Sequence, residues 1–188
     1  MRIVLHKCRV MLLLCLASLV LAGCSSTPNT YSNVDPAADF SSYRSYGFYD
    51  KLSTDNQDYE SLETSFLKVA VAQQMDKLGY SYTKDPDVRL NFYLHTEEKL
   101  RTYSAPVSHG YYGYRDYNSW GGYTAETQVK QYTQGTLNID MVDAKSGKMI
   151  WEGVLTGTLT DRDVKNMEQT LDGAVVEIFK NFPGRTAP

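Results

Sequence analysis

Hydrophobic and polar positions alternate over two long stretches of this chain and recur at helical spacing over two others. In Val88–Glu97 the residues Val88, Leu90, Phe92 and Leu94 point one way, and Arg89, Asn91, Tyr93, His95 and Glu97 the other. One face is wet, which argues against a buried parallel strand. Ala125–Val142 alternates likewise, with Val129, Leu137, Ile139 and Met141 opposed to an unbroken polar set at the even positions from Glu126 to Asp140. Asp143–Lys148 then reads as a hairpin loop, with an Asp able to bond its own backbone and Gly147 supplying positive φ. Met149–Thr160 is the return strand. Trp151, Leu155 and Leu159 share a face with Gly153 and Gly157, an alternation of large residues and glycines that predicts close approach by a helix.

Helical spacing appears first over Tyr59–Leu78. Leu62, Phe66, Val69 and Ala70 lie on one stripe, continued by Leu67, Val71, Met75 and Leu78. Asp58 is the expected N-cap and Gly79 the expected stop. A second helix is expected over Val164–Phe182, with an apolar stripe of Val164, Met167, Leu171, Ala174, Val175, Ile178 and Phe182, a cap from Asp161 or Asp163, and an end at Pro183-Gly184. Tyr31–Val34 and the aromatic-rich Tyr43–Tyr49 read as short strands, separated by a turn with one buried aromatic, Phe40. The order is β(β)-α-β-β-β-α. The expected fold is α+β: an antiparallel-rich sheet of four to five strands with two helices packed on one face.

The chain start has a different pattern. Arg2, Lys7 and Arg9 precede the thirteen-residue stretch Val10–Ala22, apolar except for Ser18. That length suits a signal-peptide core and is short for a membrane span. Small residues Ala22 and Gly23 then stand directly before Cys24. Leu21-Ala22-Gly23-Cys24 resembles the lipobox of bacterial lipoproteins. The resemblance implies cleavage between Gly23 and Cys24, a diacylglycerol on the Cys24 thiol and an N-acyl chain on the new amine. Cysteine suits that role because its thiolate is the nucleophile. One acyl chain anchors marginally, at about 0.8 kcal/mol per buried CH₂, whereas two or three anchor stably. Ser25, where Asp would signal inner-membrane retention in enterobacteria-like lipoproteins, implies the periplasmic leaflet of the outer membrane. The domain plan is therefore a signal peptide over 1–23, a lipidated tether over 24–30 and one periplasmic domain over 31–188.

Composition sharpens this picture. With the three basic signal residues removed, 16 of the 19 Lys and Arg remain against 22 acids, an acidic balance that disfavours nucleic acid as a partner. Cys8 and Cys15 lie in the signal and Cys24 carries lipid, so the domain has no cysteine for a disulfide or thiolate metal site. His95 and His109 are the remaining histidines and lack metal-ligand spacing, and Asp161-Arg162-Asp163 fits capping better than calcium. No nucleophile elbow, phosphate loop or dinucleotide fingerprint is present. A non-enzymatic chain without cofactor, apart from the acyl groups on Cys24, is expected.

Two regions are candidate binding surfaces. Residues 103–123 hold Tyr103, Tyr111, Tyr112, Tyr114, Tyr117, Tyr123 and Trp120 among four glycines. Such long segments between strands are either functional or without fixed structure, and tyrosine offers area and a hydroxyl with few rotors. The polar sheet face is the second. Arg89, Asn91, Tyr93 and His95 are expected near Tyr132, Gln134 and Asn138, able to dock a peptide or glycan; a solvated sheet face has the same pattern.

Further blocks of residues are Val34-Asp35, Asp39-Phe40-Ser41-x-Tyr43-x-Ser45-Tyr46, Leu78-Gly79-Tyr80, Asp87-Val88 with Asn91-Phe92-Tyr93, and Gly135-Thr136-Leu137-x-Ile139-Asp140-x-Val142-Asp143-Ala144 with Gly147-x-x-Ile150-Trp151-x-Gly153. Together with the lipobox they resemble the bacterial lipoproteins of domain of unknown function 4136, over nearly the whole mature chain. The resemblance implies an envelope location and an α+β domain, and carries over no catalytic residue.

Overall fold

The computed structural model describes residues 28–56, 58–106 and 125–184. Six strands form one sheet: β1 (Asn29–Val34), β2 (Ser45–Phe48), β3 (Ser81–Tyr82), β4 (Val88–Pro106), β5 (Ala125–Asp143) and β6 (Met149–Leu159). Among the described residues three helices accompany them: α1 (Leu62–Lys77), α2 (Asp161–Lys165) and α3 (Met167–Phe179). The strands are ordered β1-β6-β5-β4-β2-β3.

The α+β class and the antiparallel bias are as expected, with three corrections. The sheet has six strands, not four to five, because two residues after Gly79 pair with β2. It is mixed: β2 runs parallel to both β3 and β4, since α1 intervenes between them as a crossover. The wet face of β4 did not exclude a parallel neighbour, whose pairing covers Val88–Leu90. The last helix is two, α2 and α3, broken at Asn166 (φ −114°, ψ 46°).

Local chemistry sets the helix ends. Ser61, not Asp58, caps α1, its hydroxyl accepting from Thr64 N at 3.0 Å. Gly79 (φ 81°) ends it in the left-handed region that other residues resist. Thr160 caps α2: Asp163 N donates to its hydroxyl while the Asp163 carboxylate accepts from Thr160 N at 2.8 Å. The buried line of α1 is Thr64, Leu67, Ala70, Val71 and Met75; Leu62 and Val69, expected inside, are exposed. Val164 is also exposed, because it precedes the break.

Both long helices pack on the sheet face that carries Val88, Leu90, Phe92, Leu137, Ile139, Met141 and Trp151, and together they enclose one core. Leu171, Val175 and Ile178 come from α3. Phe40 joins it through an edge-on contact with Phe182, 5.5 Å between centroids. At Gly153 the expected close approach is present: a Cβ there would collide with Ile178 and the Trp151 ring. The β5–β6 turn closes as expected, with Ser146 N donating to Asp143 Oδ1 at 2.6 Å and Gly147 at φ 68°. One irregularity accompanies it. Met141 pairs with Trp151 and Val142 with Met149, leaving Ile150 as the extra residue of a β-bulge.

β4 and β5 are 19 residues each and pair along their whole length, but β6 covers β5 only as far as Thr133. Beyond Glu98, among the described residues, the two strands continue as a two-stranded ribbon of eight residues on β4, about 27 Å at ~3.4 Å per residue.

Candidate functional site

The sheet face opposite the helices is built from alternate residues of β1, β6, β5 and β4, and its centre is polar. Asn91 on β4, Asp140 on β5 and Glu152 on β6 are cross-strand neighbours in one row. Asn33 on β1 continues that row and donates from Nδ2 to Glu152 Oε2 at 2.8 Å. Asn138 donates to the other oxygen, Oε1, at 3.1 Å. Both Glu152 oxygens are thus held, and Asp140 stands beside it. Burial, then the neighbouring Glu152 charge, raises the Asp140 carboxyl above its ordinary value. Asn91 is tied to the loop after β2, accepting from Ser53 N at 3.3 Å and donating to Ser53 Oγ at 3.2 Å. Val154, in the next row between Tyr31 and Asn138, is buried on this face at 1% exposure.

The candidate aromatics lie along the same face, not in one cluster. Tyr93 is half exposed, pairs with Asn138 and stacks on His95 at 6.3 Å and 13°. Tyr132 pairs with Lys99, six positions further along β4 and therefore about 20 Å away. The Arg101 guanidinium lies 5.1 Å from the Tyr132 ring centroid, and its Nη1 donates to Tyr103 Oη at 3.4 Å. The expected grouping of Tyr93, His95 and Asn138 is present. Tyr132 and Gln134 share the face but belong to the ribbon and its base. Tyr111, Tyr112, Tyr114 and Trp120 lie outside the described residues, as do Gly23 and Cys24.

Glu152 and Asn33 were missed by the sequence reading. The turn at Asp143–Lys148 carried only part of the signal: the register beside it would set Asp140 opposite Trp151, and the bulge at Ile150 moves Asp140 opposite Glu152. Chemically the row offers carboxylate and amide acceptors beside exposed aromatic rings, a surface suited to hydroxyl or amide donors. Among the described residues no group of three His, Cys, Asp or Glu is placed to hold a metal ion. Among them, too, no helix is long and apolar enough to cross a membrane.

A second concavity lies on the helix side. A groove of about 1270 Å³ runs between α2, α3, the middle of β4 and β5 and the end of β6, and Pro28 and Asn29 are among the residues that line it. Glycines help to open it. A Cβ at Gly173 of α3 would meet nothing within 4 Å, and one at Gly157 would meet only Pro28, at 3.6 Å. Gly157 therefore departs from the expected helix contact, which Gly153 alone makes.

A family model described as a domain of unknown function (DUF4136) matches residues 30–184. No curated protein matches in sequence. Among solved structures, a DUF4136 family protein from Bacteroides thetaiotaomicron VPI-5482 superimposes at a TM-score of 0.51 and 17% identity, over 86% of this chain and 100% of that one. A PDZ domain protein from Parabacteroides distasonis ATCC 8503 gives 0.54 at 12% identity over 82% of this chain, which spans 35% of that protein's length. The PelC dodecamer from Paraburkholderia phytofirmans gives 0.48 at 8% identity, over 85% of this chain and 100% of that one. At these identities the first two likenesses establish the fold alone.

Proposed function

The chain belongs to the DUF4136 family, and from that premise we propose that it is a lipid-anchored lipoprotein of the bacterial envelope, a non-enzymatic domain that presents its polar sheet face to an envelope partner. The observation that carries this reading is Leu21-Ala22-Gly23-Cys24 standing just ahead of β1, whose first residue, Asn29, is five positions after Cys24. Acyl chains on Cys24 would tether the domain within about 14 Å of the membrane surface, four residues at up to ~3.6 Å each. Ser25 favours the periplasmic leaflet of the outer membrane. β1 starts at the end of the sheet where β6 finishes, with Asn29 opposite Thr156. The tether therefore leaves near the base of the β4–β5 ribbon. Labelled palmitate should enter the wild-type protein and be absent from Cys24→Ala, which should also leave the membrane fraction.

A second reading is a glycan or small-ligand module that uses residues 103–123 together with the open face. The exposed Tyr93–His95 stack favours it, because aromatic faces are the usual platforms for sugar rings. Peptidoglycan fragments titrated against Tyr93→Ala, and against a chain lacking Val107–Gly122, separate the readings. Affinity lost in both variants supports the glycan module. Absence of wild-type binding leaves the protein-partner reading, which crosslinking from Tyr114 in cells followed by partner identification would test.

A further inference from the structure

The groove beside α3 is set against the lipid anchor. Its walls include Leu94, Leu155, Leu159, Met167 and Ala174, all only partly buried, together with the charged residues Arg101, Asp161, Arg162, Asp163 and Glu177. Its volume exceeds the ~300–1,000 Å³ of ordinary ligand clefts. Gly157 and Gly173 leave open space where side chains would otherwise stand. A glycine within a helix costs about 0.5–1 kcal/mol relative to alanine, so the gap at Gly173 is unfavourable for the helix itself. Pro28, which lines the groove, is four residues from Cys24.

We propose that this groove receives one of the acyl chains carried by Cys24. The inference rests on the lipoprotein reading above. A fully processed lipobox cysteine bears three chains, and two suffice for stable anchoring. The third can leave the bilayer without releasing the protein. An acyl chain is as well accommodated by an apolar wall as by its neighbours in a membrane, and its entry removes the exposed leucine and methionine surface from water. The tether is short enough to bring the chain to the groove and too short to carry it to the far side of the domain. Seating the chain would hold the α3 side toward the membrane and leave the polar face available to a partner.

The test uses the full-length protein in cells fed a palmitate analogue with a diazirine near its terminal methyl and an alkyne handle. After irradiation, the purified protein is digested and crosslinked peptides are identified. The proposal expects the Cys24 peptide joined to peptides spanning Leu155–Leu159 or Met167–Leu171 of the same chain. Gly173→Leu and Gly157→Val fill the groove from positions with free space, and each should lose these crosslinks while remaining labelled. Label on Cys24 with crosslinks only to membrane lipid overturns the proposal. So do groove peptides joined to free phospholipid, and so do crosslinks that persist in both filled variants. A chain with no label at all overturns the lipoprotein reading instead, which separates the two failures. Circular dichroism confirms that each variant is folded; if one is not, the other carries the comparison.

Discussion

The same chemical change, glycine to alanine, is expected to have opposite effects at Gly153 and Gly173. At Gly173 the added methyl enters open space, nothing lying within 4 Å. Alanine there removes backbone freedom from the unfolded chain and improves helix propensity, worth about 0.5–1 kcal/mol. For a domain of this size that is about 1–4 °C in Tm, at ~2–4 °C per kcal/mol. At Gly153 the methyl collides with Ile178 and Trp151, both about 1% exposed and unable to retreat without moving α3 from the sheet. Overpacking of this kind costs about 1–3 kcal/mol, and the fixed partners place Gly153→Ala at the upper end. Urea titration of the mature domain, followed by far-ultraviolet circular dichroism, reads both as midpoint shifts at constant slope. A destabilised Gly173→Ala would refute the open groove, and a neutral Gly153→Ala would refute the helix-to-strand approach on which the core depends.

Other expectations concern charge and capping. Asp140 has a raised folded pKa, so its carboxyl favours folding below the unfolded value of 3.8 and opposes it once pH rises through the folded value. Asp140→Asn should therefore stabilise the domain at pH 7, with the advantage vanishing below pH 3.8; an advantage that persists in acid would assign the effect to packing. Asp87 has the reverse sign. Its Oδ2 accepts from Arg44 N at 2.8 Å and from Ser45 N and Oγ, both at 2.9 Å, and these bonds hold its carboxyl below the ordinary range. Asp87→Ala should lose stability at pH 7 and converge with wild type as pH falls from 3.8 through the folded value, read by chemical denaturation across pH. Removing the buried α1 cap by Ser61→Ala should cost about 1 kcal/mol, read as a lower urea midpoint, and an unchanged midpoint would mean that Thr64 N finds another acceptor.

The antiparallel half of the fold was legible because its signals are local. A period of two over Val88–Leu94 and Leu137–Met141 assigns the buried face, and the turn at Asp143–Gly147 makes β5 and β6 neighbours, although the bulge at Ile150 then shifts their register by one residue. The parallel half was not, since β2 finds β4 across a 39-residue interval between Phe48 and Val88 and pairs over three positions, and β3 has only two residues. Apolar spacing also misled at α1. Leu62 and Val69 fall on a stripe with Phe66 as regular as that of Leu67, Val71 and Met75, yet the sheet takes in Phe66 and leaves Leu62 and Val69 exposed. The break at Asn166 depends on a neighbouring turn: the capping box formed by Thr160 and Asp163 starts a short helix that α3 does not continue. At the candidate site, Tyr93 and Asn138 could be placed by alternation alone. Asn33 required β1 to be assigned to the β6 edge, which no local pattern encodes.

The claim with most consequences is that the chain is fastened to a lipid leaflet at one sulfur. Intact mass spectrometry of the protein from native cells tests it most directly. The account predicts a mature chain that begins at Cys24 and carries diacylglycerol and N-acyl mass on that residue. A chain still beginning at Met1, or an unmodified Cys24, would contradict it.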